Sequence, residues 1–140
     1  MRPAYLIAHH SLTKDSGTVS WPAIRRYHVD ELGWSDIGYQ FGIEDINGHQ
    51  EILMGRMMNK SGAHCKQKGM NRKSIGILFT GNFDLAPPPP EMWKLGLRLA
   101  RTLMEIFYIP KDHVFGHREF ASYKTCPGSQ FDMDLFRAQL

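Results

Sequence analysis

No Cys-x-x-Cys pair occurs in the chain, and its two cysteines, Cys65 and Cys126, stand far apart. A zinc ribbon therefore has no scaffold, and a disulfide framework has at most one bridge to offer. No segment reaches the roughly 18 apolar residues that a membrane span requires, so no membrane partner is expected. The short apolar run near the N-terminus ends in His9 and His10 rather than in a small-residue cleavage site. No secretory signal is read there, and the protein is expected to be cytoplasmic as synthesised. Cysteines in such a reducing compartment serve more often as thiols or ligands than as a disulfide. Concentrated charge is also missing: the formal net charge is +3 with the basic residues scattered, so nucleic acid is not an expected partner. Repeats and interdomain linkers are absent, and 140 residues suffice for one domain, 1–140, with one core.

What is present reads as strands alternating with helices. Residues 4–10 form an apolar run that reaches the two histidines, a buried strand with polar groups at its end. Residues 11–19 read as loop around Lys14-Asp15-Ser16-Gly17, after which Ser20 offers an N-cap to a helix with Pro22 in its first turn. That helix would bury Ile24, Tyr27 or His28, and Leu32, and end near Gly33. Residues 37–43 alternate as a half-buried strand, and Asn47-Gly48 is a hairpin turn before a returning strand at 50–54.

Residues 57–73 show no period, and a loop that long in a small domain is usually functional. Residues 74–80 read as a central strand; Met92, Leu95, Leu99, Leu103 and Ile106 then mark a helix that Pro110 halts. A short strand at 114–115 and a terminal helix at 133–140 complete the chain. The fold class is α/β, a single domain with a central mixed β-sheet flanked by helices. Sites in such sheets gather at strand ends, here His9-His10, Asn82 and Gly116-His117.

The chemistry centres on Gly116-His117-Arg118 and Lys124-Thr125-Cys126-Pro127-Gly128. A catalytic zinc site takes three protein ligands and keeps a position open, and mixed His/Cys sets are standard for it. His9 or His10, with His117 and Cys126, make such a set. A strand directs the two neighbouring histidines to opposite faces, so only one of them reaches the metal, and alternation alone does not choose. The rival chemistry is a cysteine hydrolase with Cys126 as nucleophile and His117 as base.

Further segments carry a family resemblance. They are Ile7-Ala8-His9-His10-Ser11 with Thr13, Gly33-Trp34-x-Asp36-Ile37-Gly38-Tyr39-x-Phe41, Gly62-Ala63-His64, and Asn71-x-x-Ser74-Ile75-Gly76-Ile77. With the two C-terminal motifs they span nearly the whole chain, which resembles the zinc-dependent N-acetylmuramoyl-L-alanine amidases of the phage endolysin and peptidoglycan recognition protein type. The resemblance implies hydrolysis of the amide joining N-acetylmuramic acid to L-alanine, with one zinc ion per chain and peptidoglycan or a muropeptide as substrate.

It points to His9, His117 and Cys126 as metal ligands, to Tyr39 and Lys124 as catalytic residues, and to His64, Asn71 and Asn82 as groove-lining, substrate-binding residues. An endolysin reaching the cell wall after release from the cytoplasm is the expected role, with a muropeptide-recycling amidase or a non-catalytic binding module as alternatives. Binding-only relatives typically lack the cysteine, which this chain has at Cys126. Gln40 departs from the histidine or asparagine of many relatives, and its side chain should point away from Tyr39. His28, His49 and His113 match no motif and read as surface residues, Cys65 reads as a free thiol, and the protein is expected to be a monomer.

Overall fold

The structure, a computed structural model, describes residues 1–12 and 20–140. The turn expected at residues 14–17 and the motif residue Thr13 lie outside the described residues. Five strands form one sheet in the order β3-β2-β4-β1-β5: β1 (Tyr5–His10), β2 (Phe41–Ile46), β3 (His49–Met54), β4 (Ser74–Phe79) and β5 (Val114–Gly116). β1 pairs in parallel with β4 and β5, β2 pairs in parallel with β4, and among the described residues only the β2–β3 hairpin is antiparallel. Asn47 and Gly48 close that hairpin with φ of 54° and 88°, the doubly positive turn that matches strand twist. The sheet is therefore mixed and the domain single, as the alternation of elements implies.

β4 is buried at every position and β1 at all but its first, which is why both read as unbroken apolar runs. One face is covered by α2 (Pro90–Phe107) and α3 (Met133–Ala138). Met92, Leu99 and Leu103 of α2 enter a single apolar core with Leu6, Ile75 and Phe79 of the sheet and with Phe131 and Phe136. Leu95 is half-buried, and Ile106 is exposed because Phe107, four residues after Leu103, takes the inward position. Tyr108 closes the helix in the left-handed conformation at φ 55°.

The other face carries α1 (Trp21–Arg26), capped by the Ser20 hydroxyl, which accepts from the Ala23 amide. The helix widens into a π-helical run at Tyr27–Glu31, and this turns His28 inward while Tyr27 and Leu32 face solvent. Trp21 and Ile24 pack there against Ile37 and Leu78. Regular pairing of β2 starts at Phe41 rather than at residue 37. Residues 37–40 still run beside β4, tied by the Gln40 amide to the Gly76 carbonyl, so the sequence alternation is real although the ladder is irregular. Because β1, β2, β4 and β5 are parallel, their carboxyl ends share one edge of the sheet.

Candidate metal centre

β1 delivers His9 and His10 to that edge, on opposite sides of the pleat. β5 ends at Gly116 and passes into a 3-10 turn, His117–Glu119, which sets the His117 ring centroid 4.7 Å from that of His9. Cys126 arrives on the following loop, with its Sγ 3.6 Å from His9 Nδ1. One donor atom from each of His9, His117 and Cys126 lies within 4.8 Å of the others. The loop is held by Arg118: its amide donates to the Cys126 carbonyl at 2.7 Å, and its guanidinium donates to the Gly128 and Phe131 carbonyls at 2.6 and 2.8 Å. Asp84, following β4, accepts from the Ser129 amide and the Thr125 hydroxyl and closes the same loop from the other side.

His9 is 1% exposed, and burial holds its imidazole well below the ordinary range, with repulsion from His64, His117 and Lys124 adding to it. Burial and then Lys124 bring His117 down to about 4. Burial also pushes the Cys126 thiol up to about 11, although the His10 backbone, Lys124 and Arg118 favour its thiolate. Without a cation these are two neutral imidazoles and a protonated thiol. That is the reverse of a thiolate–imidazolium nucleophile pair, whose cysteine is acidified. A divalent metal supplies the positive charge that deprotonates such a thiol, and neutral imidazole is the form that ligates. Tetrahedral zinc, with bonds of about 2.3 Å to sulfur and about 2.0–2.1 Å to nitrogen, separates a sulfur and a nitrogen ligand by about 3.6 Å. The His9–Cys126 spacing has that value, and His117 Nε2 is buried with no hydrogen-bond partner, so the residues present fit a zinc ion.

The three donors open into a cleft of about 480 Å³ that Tyr39 and Lys124 also line. The Tyr39 ring lies 5.2 Å from His9, and burial, followed by the nearby Cys126, pushes its hydroxyl above the usual phenol range. Lys124 is exposed at the rim. Gln40 points away from Tyr39, donating to the Lys60 carbonyl and accepting from the Gly76 amide. A second cleft of about 380 Å³ shares Trp34, His64, His117 and Lys124 with the first and adds Asn71. The Asn71 side-chain oxygen meanwhile accepts from the amides of His64 and Cys65. His64 lines both clefts, yet it is buried and sits with Nδ1 2.9 Å from His9 Nε2. Asn82 lines neither cleft; its side-chain oxygen accepts from the Asp84 amide in the turn after β4.

The surface reading of His28 is corrected: it is buried, its Nδ1 accepts from the Gly38 amide at 3.0 Å, and its ring packs 4.6 Å from Trp34 and 5.9 Å from Tyr39. The signal for this was its place four residues after Ile24 on the inward stripe of α1. His49 is exposed beside Glu51, as expected. His113 is only half-buried, stacked on Tyr5 at 4.5 Å. Both cysteines are free, with Cys65 buried. The role of Arg118 in fixing the cysteine loop also escaped the sequence, where it read only as part of a motif.

Known proteins are similar to this chain in sequence and fold. The chain is 32% identical over 132 residues to peptidoglycan-recognition protein SC1a of Drosophila melanogaster, covering 90% of this chain and 68% of that one. Its fold is similar to that of the endolysin N-acetylmuramoyl-L-alanine amidase LysCS from Clostridium intestinale, at 28% identity and a TM-score of 0.84, covering 99% of this chain and 83% of the other. It is also similar to a Drosophila PGRP-LB variant in complex with tracheal cytotoxin, at 32% identity and a TM-score of 0.76, covering 96% and 81%. Residues 1–129 match the sequence model of N-acetylmuramoyl-L-alanine amidase, and the chain belongs to that family.

Proposed function

We propose that the protein is a zinc-dependent N-acetylmuramoyl-L-alanine amidase, that residues 1–140 form one catalytic domain, and that its substrate is peptidoglycan or a muropeptide. The observation that carries the reading is the convergence of His9, His117 and Cys126 at one sheet edge, in the cleft that Tyr39 and Lys124 line. His9, His117 and Cys126 would hold a zinc ion, which when bound would supply Lewis acidity and a water acidic enough to act at neutral pH. Tyr39, kept protonated by burial and flanked by His9 and His28, would hold a proton at its hydroxyl and pass it towards the leaving alanine nitrogen. Lys124 presents its ammonium at the cleft, where an oxyanion develops from the amide. Substrate contact through Asn71 belongs to the second cleft.

Likeness to the Clostridium endolysin supports a lytic role; production in the cytoplasm, release to the wall and a monomeric state are proposed with it. Likeness to recognition proteins supports a binding module as the second reading. Digestion of purified cell wall followed by mass spectrometry separates the two. Released stem peptides with free N-terminal alanine, lost with a strong chelator and restored by zinc, are expected. Intact wall that retains bound protein would establish the binding module, and chelator-resistant cleavage would overturn the metal reading.

A further inference from the structure

We propose that His64 is a positioning residue for the metal ligand His9, accepting a hydrogen bond from the far side of its ring, rather than a substrate-binding residue of the groove. The proposal rests on the zinc reading above. His9 has two ring nitrogens facing different partners: Nδ1 lies 3.6 Å from Cys126 Sγ, and Nε2 lies 2.9 Å from His64 Nδ1. A neutral ring that offers the Nδ1 lone pair to a metal carries its proton on Nε2. His9 Nε2–H then donates to His64 Nδ1, and His64 must hold its own proton on Nε2, which is buried with no hydrogen-bond partner. Neither polar atom of His64 is left for a substrate: one is engaged by His9, and the other is enclosed.

The surroundings fix His64 in this pose. A Cβ at Gly62 would stand 2.5 Å from His64 Cδ2, and one at Gly76 would stand 2.7 Å from Cγ and Cδ2, so the ring fills the space that two glycines leave. Asn71 holds the backbone beneath it through the His64 and Cys65 amides at 2.7 and 2.8 Å. The ring planes of His9 and His64 stand at 85°, and the two facing nitrogens are 2.9 Å apart. The partner of a ligating histidine is usually a carboxylate or a carbonyl. A neutral imidazole instead fixes tautomer and ring angle without adding negative charge, which leaves the metal's charge available to polarise a carbonyl.

Two measurements test this. In zinc-loaded wild-type protein, long-range proton–nitrogen NMR should show both His9 and His64 as Nε2–H tautomers; a proton on His64 Nδ1 would overturn the assignment without any variant. Zinc affinity, read by competition with a chromophoric chelator, should fall about 10–100-fold in His64→Leu. It should stay within a few-fold of wild type in His64→Asn, whose side-chain oxygen replaces the Nδ1 acceptor. At saturating zinc, KM should be unchanged in both variants. Unchanged zinc affinity in His64→Leu together with a raised KM would return His64 to the substrate groove. Wild-type protein that binds no zinc would instead overturn the metal reading itself.

Discussion

The face of the sheet beneath α2 and the edge that carries His9 are assembled by opposite rules. Under α2 the buried side chains are apolar, and Phe79, Phe131 and Phe136 fill the space with rings 5.0 to 6.1 Å apart. Burial there stabilises the fold and asks nothing of a ligand. At the edge, imidazoles occupy the buried positions, and His10, His64 and His117 each leave a ring nitrogen without a hydrogen-bond partner. Enclosing polar groups in this way costs stability unless something completes them. The α2 face thus supplies the stability that lets the edge hold unsatisfied donors in fixed positions.

The comparison breaks most visibly at the sulfur. Cys126→Ser should remove bound zinc and lower amidase activity by about 10³-fold or more, since several kcal/mol of charge stabilisation is lost, while the melt of chelated protein barely moves. Metal analysis and peptide release check it, and a fully active serine variant would sink the ligand assignment. On the other face, Phe79→Ala should cost about 3–5 kcal/mol in denaturant melts yet leave zinc stoichiometry intact in the folded fraction. Lys124→Ala should keep the metal and lower kcat by about 10²–10³-fold, as removal of an oxyanion donor does; loss of zinc in that variant would place Lys124 in the scaffold.

Acid provides a subtler contrast. An unfolded imidazole titrates near 6.5, whereas burial holds His64 down to about 3, and burial with Lys124 brings His117 down to about 4. Between those values the unfolded chain binds more protons, so the chelated protein keeps its stability above pH 6.5 and loses it as pH falls towards 4. Thermal melts in chelator should show that decline, and a flat profile would mean the histidines are hydrated. The smallest effect is expected at His10, whose replacement by Gln with His9 retained should leave bound zinc unchanged. Loss of zinc there would exchange the two histidines.

Where sequence pattern and structure agree, one local rule decided the outcome. The apolar run of β1, the Asn47-Gly48 turn and the stripe of α2 are each set by a single period or dihedral demand. The candidate donor set was legible from residue chemistry, and motif order chose His9 over His10, although His9, His117 and Cys126 come from β1, the end of β5 and a distant loop. His28 read as a surface residue because it matches no motif, although helical spacing from Ile24 had offered it or Tyr27 as an inward position; the widening at Tyr27–Glu31 leaves His28 buried and Tyr27 exposed. Motif position does not reveal that the His64 ring sits against two glycines, Gly62 two residues before it and Gly76 twelve residues after it on β4. Such a fit exists only in three dimensions.

Arg118 has a consequence for how this chain can vary. Its amide and guanidinium clamp the Cys126–Phe131 backbone to the end of β5, so residues 119–125 leave and return through a closed neck. Ala121 is buried at the foot of that excursion, while Ser122 and Tyr123 stand at its exposed tip. Length added at the tip is absorbed outside the clamp and does not displace the sulfur. The spacing between His117 and Cys126 is therefore open to insertion at that tip, by evolution or by an engineer, although both of its ends belong to the candidate metal centre.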